Sequence, residues 1–510
     1  MTRVVMLGID GLDADLLRVY GPSLPHLRRL MLESPFLELT SSFPPEAAPA
    51  WTSIYSGLNP ARHGLVGSAQ VRADGLWEQA VAPERLIPRG QTFWDRASEV
   101  GKRVCILNLC YAYPAWPVNG VMLSLPPVGS VGREQSVVPA ETPLSAAFPP
   151  ALDSAVALRK HELALFCQSL TERCEQQALL GLELFTREPW DLFFLQLDAL
   201  SAVQRLLWRY SDPGDPAYPG PGEFADTILD FYRLFDQIIG RFRSSIEQDC
   251  VLVVVSGYGQ GRGCVSSLHL NEWLRFQGLL TPQTAASRLF DGRFLRERVQ
   301  SGTWALLTHL HMQEMISRRA YYQPRQQIND AIDRQETLAY VVEFAGRSPF
   351  GGIVINRAKA EREGDGYERL RAELLLKLAR LRVLGQPVVH WARAREEYYR
   401  GESIESYPDI LFELRSAYHV SGDLYTPLVT PNMVHPVVSG NNRMYGVLLL
   451  GNLPAGCDIV DSSAGPDVMD VAPTVLHLLD VTSAGSDGQA LVFPAAASPV
   501  QPLLSLPQRL

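Results

Sequence analysis

The stretch FPPEAAPAWTSIYSGLNPARHG, Phe43–Gly64, decides the fold. A strand, Leu37–Ser42, leads into it, and from Ala50 to Ser56 the chain continues as a helix before the NPARHG turn. The neighbouring segments carry the same alternation outward. Val4–Ile9 is a short apolar run ending at Asp10-Gly11, and such strand ends are where an open α/β sheet gathers its functional groups. Helices are expected over Pro25–Leu32, Thr92–Val100, Leu152–Arg187 and Asp230–Arg243, with another following the strand Asp191–Leu197 through Trp208. Further strands are read at Arg103–Leu107, Pro117–Leu125, Cys250–Val255, Gly351–Asn356, Gln386–Val389 and Ile410–Glu413. A helix is expected at Tyr367–Val383, and a capped helix at Asp467–Leu479. The fold class is therefore α/β, a mainly parallel central sheet with helices on both faces.

Residues 282–340 break the pattern. The segment is rich in Gln and Arg with aromatics between them, and reads as a helical insertion or cap. Residues 1–281 form the first part of the core, 341–492 the second, and 493–510 a Pro-rich tail.

With 510 residues the chain is long enough for a large α/β domain carrying an inserted subdomain. Its formal net charge of -9 argues against a general nucleic-acid binder, and no apolar run is long enough to span a bilayer. No nucleic acid and no membrane are expected as partners. Seven scattered cysteines without a CxxC pair suggest reduced thiols rather than a disulfide scaffold, and no signal peptide is read at the N-terminus, so a cytoplasmic location is expected.

Phe43–Gly64, together with GIDGLD, TFWDRASEVGKRVCILN, AYPAWPVNGVML, WDLFFLQL, LHLNEWLRFQGLL, GGIVIN, YPDILFEL and DVAPTVLHLL in that order, resembles the alkaline phosphatase superfamily over nearly the whole chain. The likeness is to the branch of type I phosphodiesterases, nucleotide pyrophosphatases and related predicted phosphohydrolases. It implies an alkaline phosphatase-like sheet. It also implies a reaction in which two divalent metals, usually zinc, activate a Thr or Ser hydroxyl that attacks phosphorus.

Carried over residue by residue, that site is largely replaced. The nucleophile position is Ala47. The first Asp ligand is kept as Asp10. Anchored on Trp208, an Asp-x-x-x-His pair becomes Ser201 and Arg205; an alternative register uses Asp198 and leaves Ala202 at the His position. A later Asp-His pair becomes Gly257 and Tyr258, and the last His becomes Asn442 beside a retained Arg443. Neutral side chains and a guanidinium cannot supply the charge and lone pairs that two metals need, so no metal and no cofactor are expected. The Arg205 guanidinium is expected to stand in for the missing metal charge and pair with Asp10. Framework residues Gly57, Pro60, Gly64 and Asn108 are intact, and His63 in the NPARHG turn is structural in the family.

The candidate catalytic residues are Asp10, Glu46, Arg205 and Tyr258, and the candidate binding residues Trp51, Ser201, Asn441, Asn442 and Arg443. Their chemistry suits a degenerate, metal-independent member of the family that binds or transforms a small metabolite by acid/base chemistry. The other readings are a non-catalytic scaffold, with a protein partner at the insertion, and a phosphodiesterase with unusual ligands. Those same groups can also simply satisfy one another in a plugged cavity.

Overall fold

The computed structural model describes residues 2–65, 69–71, 77–79, 89–109, 111–125, 136–139, 159–283, 332–344, 347–362, 366–454, 456–459 and 465–494. Its centre is an eight-stranded sheet. Across the sheet the strands run Phe36–Thr40, Tyr445–Gly451, Cys250–Ser256, Arg3–Ile9, Leu192–Leu197, Val104–Leu109, Gly120–Ser124 and Ser136–Val138. Pairing is parallel from Cys250–Ser256 to Gly120–Ser124, with Leu7 opposite both Leu195 and Val254. Tyr445–Gly451 runs antiparallel to both its neighbours, and Ser136–Val138 is antiparallel at the far edge. The expected mainly parallel sheet is what forms.

Alternate residues of each central strand enter opposite layers. Val5, Leu7 and Ile9 join a core with helices Pro25–Glu33, Lys160–Arg187, Ala199–Ser211 and Thr227–Ser244. Val4 and Met6 join the other, with Ala47–Ser56, Phe93–Glu99 and Val471–Leu478. A strand buried on both faces carries a continuous apolar run, which is why these segments are readable in the sequence. Asp467 accepts from the Met469 amide and so caps the short turn leading into Val471–Leu478.

The strands after residue 341 do not rejoin this sheet directly. Ala339–Glu343, Phe350–Ile355, Ile410–Leu414 and Val389–Ala394 form a separate four-stranded antiparallel sheet covered by the helix Tyr367–Ala379. Period and composition reveal that a segment is a strand; they do not name its partner. Among the described residues, Tyr445–Gly451 is the later strand that returns to the central sheet. Of the 282–340 insertion, residues 284–331 lie outside the described residues, and its ends meet in a bridge between Pro282 and Ile332. Residues 495–510 of the tail also lie outside them.

The second sheet docks on the first through the Phe43–Gly64 stretch. Asn59 Nδ2 donates to the Tyr398 carbonyl at 3.1 Å, and its Oδ1 accepts from the amides of Ala61 and Arg400 at 3.0 and 3.2 Å. Ser403 N donates to the Ala61 carbonyl at 2.9 Å. Phe43 packs edge-on against Phe344, Phe350 and Trp391, and the Tyr399 hydroxyl donates to its carbonyl.

Candidate functional site

Asp10 stands at the carboxyl end of the strand Arg3–Ile9, its amide bonded to the Leu197 carbonyl at 3.0 Å. The helix Ala47–Ser56 brings the buried Trp51 over it, and the indole N–H donates to Asp10 Oδ1. Gln196, on the adjacent strand, directs its Nε2 at the same oxygen at 3.5 Å. That amide is oriented from behind, because its Oε1 accepts from the Tyr55 hydroxyl at 2.6 Å. Asn108 Nδ2 donates to the Gln196 carbonyl at 2.5 Å from a left-handed backbone with φ +67°. Asn108 is in turn met by Gln177 at 3.2 Å.

Burial is the main reason the Asp10 carboxyl is pushed up from 3.8 to about 7; the negative charge of Asp198 adds to it. Hydrogen bonds from Trp51, Gln196 and Tyr258 pull the other way. Asp198 precedes the helix Ala199–Ser211 and pairs with the buried Arg173 at 2.5 Å.

Next to Asp10 the helix Ala199–Ser211 presents Ser201 to the loop after the strand Cys250–Ser256. Gln260 Nε2 donates to Ser201 Oγ at 2.8 Å and to Asn442 Oδ1 at 2.9 Å. The Tyr258 hydroxyl lies 3.5 Å from Ser201 Oγ. Asn442 Nδ2 donates to the Pro45 carbonyl at 2.7 Å, beside Glu46 and Ala47. Gln260 and Asn442 face each other across the antiparallel pair Gly259–Arg262 and Gly440–Arg443. This close packing needs two glycines. Gly11, at φ +78°, passes within what would be 3.2 Å between a Cβ and the Ser201 Cα. A Cβ on Gly440 would sit 2.3 Å from the Gln204 carbonyl oxygen.

Asp10, Trp51, Ser201, Tyr258 and Asn442 are thus brought together, with Glu46 at the N-terminus of the helix Ala47–Ser56 beside them. Three expectations need correction. Arg205 does not pair with Asp10: Asp10 takes its bonds from Trp51 and Gln196, and Arg173 supplies the nearby positive charge through Asp198. Arg443 is not brought into the cluster around Asp10, since it reaches Asp15 at 3.3 Å and Asp13 at 3.8 Å. Asn441 bonds instead to the Arg347 carbonyl at 3.2 Å and Cys264 Sγ at 3.8 Å. Both errors have one cause. Successive residues of a strand point to opposite faces, so Asn442 alone of the three faces Gln260. Sequence reasoning also missed Gln196, Gln260 and Arg173, which match no metal-ligand pattern and are recognisable only once strands and helices are placed.

The zinc pair of the resembled family does not fit these residues. Among the described residues no group of three or more His, Cys, Asp or Glu is placed to hold a metal ion. Asp10 Oδ1 is taken by the indole and amide donors. The four buried histidines among the described residues are engaged elsewhere. His63 Nδ1 accepts from the Leu65 amide at 3.1 Å, and burial holds the ring down to about 3, so it stays neutral. His269 meets Thr430, His419 meets Ser267, and His435 meets Asp215.

A mainly parallel sheet with Asp10 at a strand end and a strand–loop–helix closing over it defines an alkaline phosphatase-like protein. The model of the type I phosphodiesterase / nucleotide pyrophosphatase family matches residues 4–349, and the chain belongs to that family. Among solved structures, phosphonoacetate hydrolase from Sinorhizobium meliloti 1021, in complex with phosphonoformate, is similar at a TM-score of 0.56 and 13% identity, covering 95% of this chain and 96% of that one. Human ectonucleotide pyrophosphatase / phosphodiesterase 5 is similar at a TM-score of 0.50 and 13% identity, covering 96% and 97%. At these identities the likeness is one of fold. A comparison with curated proteins finds no match.

Proposed function

We propose that this chain is a metal-independent member of its family whose pocket binds a small metabolite and moves a proton. The observation that carries this is the Asp10 carboxyl: one of its oxygens is held by an indole and an amide, with no second carboxylate or imidazole placed to complete a metal site among the described residues. Held near 7, Asp10 can accept or return a proton at neutral pH. The Tyr258 hydroxyl, pushed well above its ordinary value by burial and then by Asp10, stays protonated and serves as a donor. The six cysteines among the described residues are free, which favours a reducing compartment, and a cytoplasmic location is the reading it supports.

A non-catalytic role as a scaffold or partner is favoured by a different observation. Ser201, Gln260, Asn442 and the Pro45 carbonyl form a continuous hydrogen-bonded chain and so largely satisfy one another.

Zinc content of the purified chain and its turnover of aryl phosphate mono- and diesters test the metal-free reading. The expected result is no stoichiometric zinc and no hydrolysis, with or without added zinc. Stoichiometric zinc together with turnover would restore a phosphodiesterase with unusual ligands.

A further inference from the structure

We propose that Arg173 and Gln177, one turn apart on the helix Lys160–Arg187, are positioning residues that hold the Asp10 carboxyl from behind along two separate paths. The proposal rests on the metal-free reading above and names what governs the proton of that same site.

The first path runs through Asp198. Ile9 and Leu197 are opposite each other in the parallel ladder, so the residues that follow them, Asp10 and Asp198, leave the sheet side by side. Two like charges there repel, and each makes the other harder to ionise. Arg173 is 5% exposed, and its Nη2 donates to Asp198 Oδ1 at 2.5 Å. The guanidinium offsets the Asp198 charge at its source.

The second path runs through Asn108. The ladder between Val104–Leu109 and Leu192–Leu197 ends where Leu107 meets Leu195. One residue on, Asn108 turns left-handed, and its side chain takes over from the backbone by donating to the Gln196 carbonyl. Gln177 Nε2 donates to Asn108 Oδ1 at 3.2 Å. An amide accepts at its oxygen and donates at its nitrogen, so this bond turns the Asn108 nitrogen toward Gln196. Gln196, held at its carbonyl, aims Nε2 at Asp10 Oδ1. Gln177 is fully buried, and its own Oε1 has no partner among the described residues. A hydrophobic residue there would not carry that penalty, so what the amide contributes is the bond to Asn108.

One rigid element joins the two paths. Arg173, Gln177 and Gly181 recur every fourth residue and share a face of the helix. Gly181 lets that face lie directly on the strand bearing Gln196: a Cβ there would come within 2.9 Å of Leu195 Cδ2. Asp10 is faced by Trp51, Tyr258, Gln196 and Asp198, and the helix steadies the last two.

The test reads the Trp51 indole N–H, which donates to Asp10 Oδ1. The full chain, isotope-labelled at tryptophan and treated with a chelator, gives its nuclear magnetic resonance at neutral pH, assigned through Trp51→Phe. Asp10→Asn marks where that resonance lies over a neutral acceptor. Arg173→Met leaves the Asp198 charge unopposed, and Gln177→Met takes the donor from Asn108; both make Asp10 keep its proton more firmly. In each, the resonance should move at least about a quarter of the way to its Asp10→Asn position. Arg173→Lys keeps a charge beside Asp198 and should move it less than Arg173→Met does. Leu163→Ala is the control for a merely structural effect. It opens a cavity in the same helix nearly three turns before Arg173, on neither path, and should leave the resonance in place. An unmoved resonance in folded Arg173→Met or folded Gln177→Met, or an equal movement in Leu163→Ala, would overturn the proposal. The paths are separate, so if one variant does not fold the other decides. Zinc measured on the untreated preparation tests the metal-free reading separately, so the two can fail independently.

Discussion

Asp10 gives one oxygen to Trp51 and Gln196 and lies close to Asp198, and burial makes its charge costly. The consequence for stability has a definite sign. An unfolded chain releases this proton near 3.8, whereas the folded one keeps it to about 7. The stabilisation linked to the proton is therefore complete below about 4 and is lost as pH rises through about 7. Asp10→Asn keeps an oxygen for the indole and removes the charge. Its stability relative to the unaltered chain should rise between pH 4 and pH 8, by on the order of 4 kcal/mol at most. Urea melts at the two pH values measure it, and the acid-side cost of the neutral His63 cancels because both proteins carry it. If Asp10 instead held a metal at pH 8, the same substitution would destabilise the chain there. This residue is also the clearest case of a legible one. An apolar run ending in Asp-Gly marks a strand end, and the strand end marks the site. Arg443 shows the opposite: its place next to the Asn442 position suggested a pocket role, but the pleat turns its side chain outward to Asp15.

The helix Ala199–Ser211 is the element on which the site depends, since it carries Ser201 and is wedged between Gly11 and Gly440. Nothing in the sequence announces that contact. Gly259–Arg262 and Gly440–Arg443 are short, polar and far apart in the chain, so neither the apolar run nor the alternation that reveals the central strands is present. Gly440→Ala would drive a methyl to 2.3 Å from the Gln204 carbonyl oxygen, and backbone there cannot rotate away. The helix must shift instead. A loss of about 1–3 kcal/mol is expected, together with weaker binding of the pocket's ligand, because Ser201 moves with the helix. Chemical denaturation and ligand titration of Gly440→Ala check the two effects. A variant as stable and as tight as the unaltered chain would mean that this contact does not set the helix position.

At the scale of the whole molecule, two sheets share one loop. Phe43–Gly64 supplies the helix over Asp10 on one side and the docking surface for residues 398–403 on the other. Asn59 is the hinge-pin of this arrangement. Its single side chain serves the Tyr398 carbonyl, the Arg400 amide and the Ala61 amide, and its own amide is held by Asp487 at 2.8 Å. Asn59→Ala leaves those groups without their partner at a cost of about 1–3 kcal/mol. The loss falls on the joint between the sheets, not on either core. The antiparallel sheet containing Phe350–Ile355 should then open before the central sheet containing Arg3–Ile9, and by a wider margin than in the unaltered chain. Native-state hydrogen exchange reads this directly: in Asn59→Ala, protection should fall in Phe350–Ile355 while Arg3–Ile9 keeps its own. Equal loss in both strands would show that the joint carries no separate share of the stability. In that case the loop that shapes the pocket would be anchored by the central sheet alone.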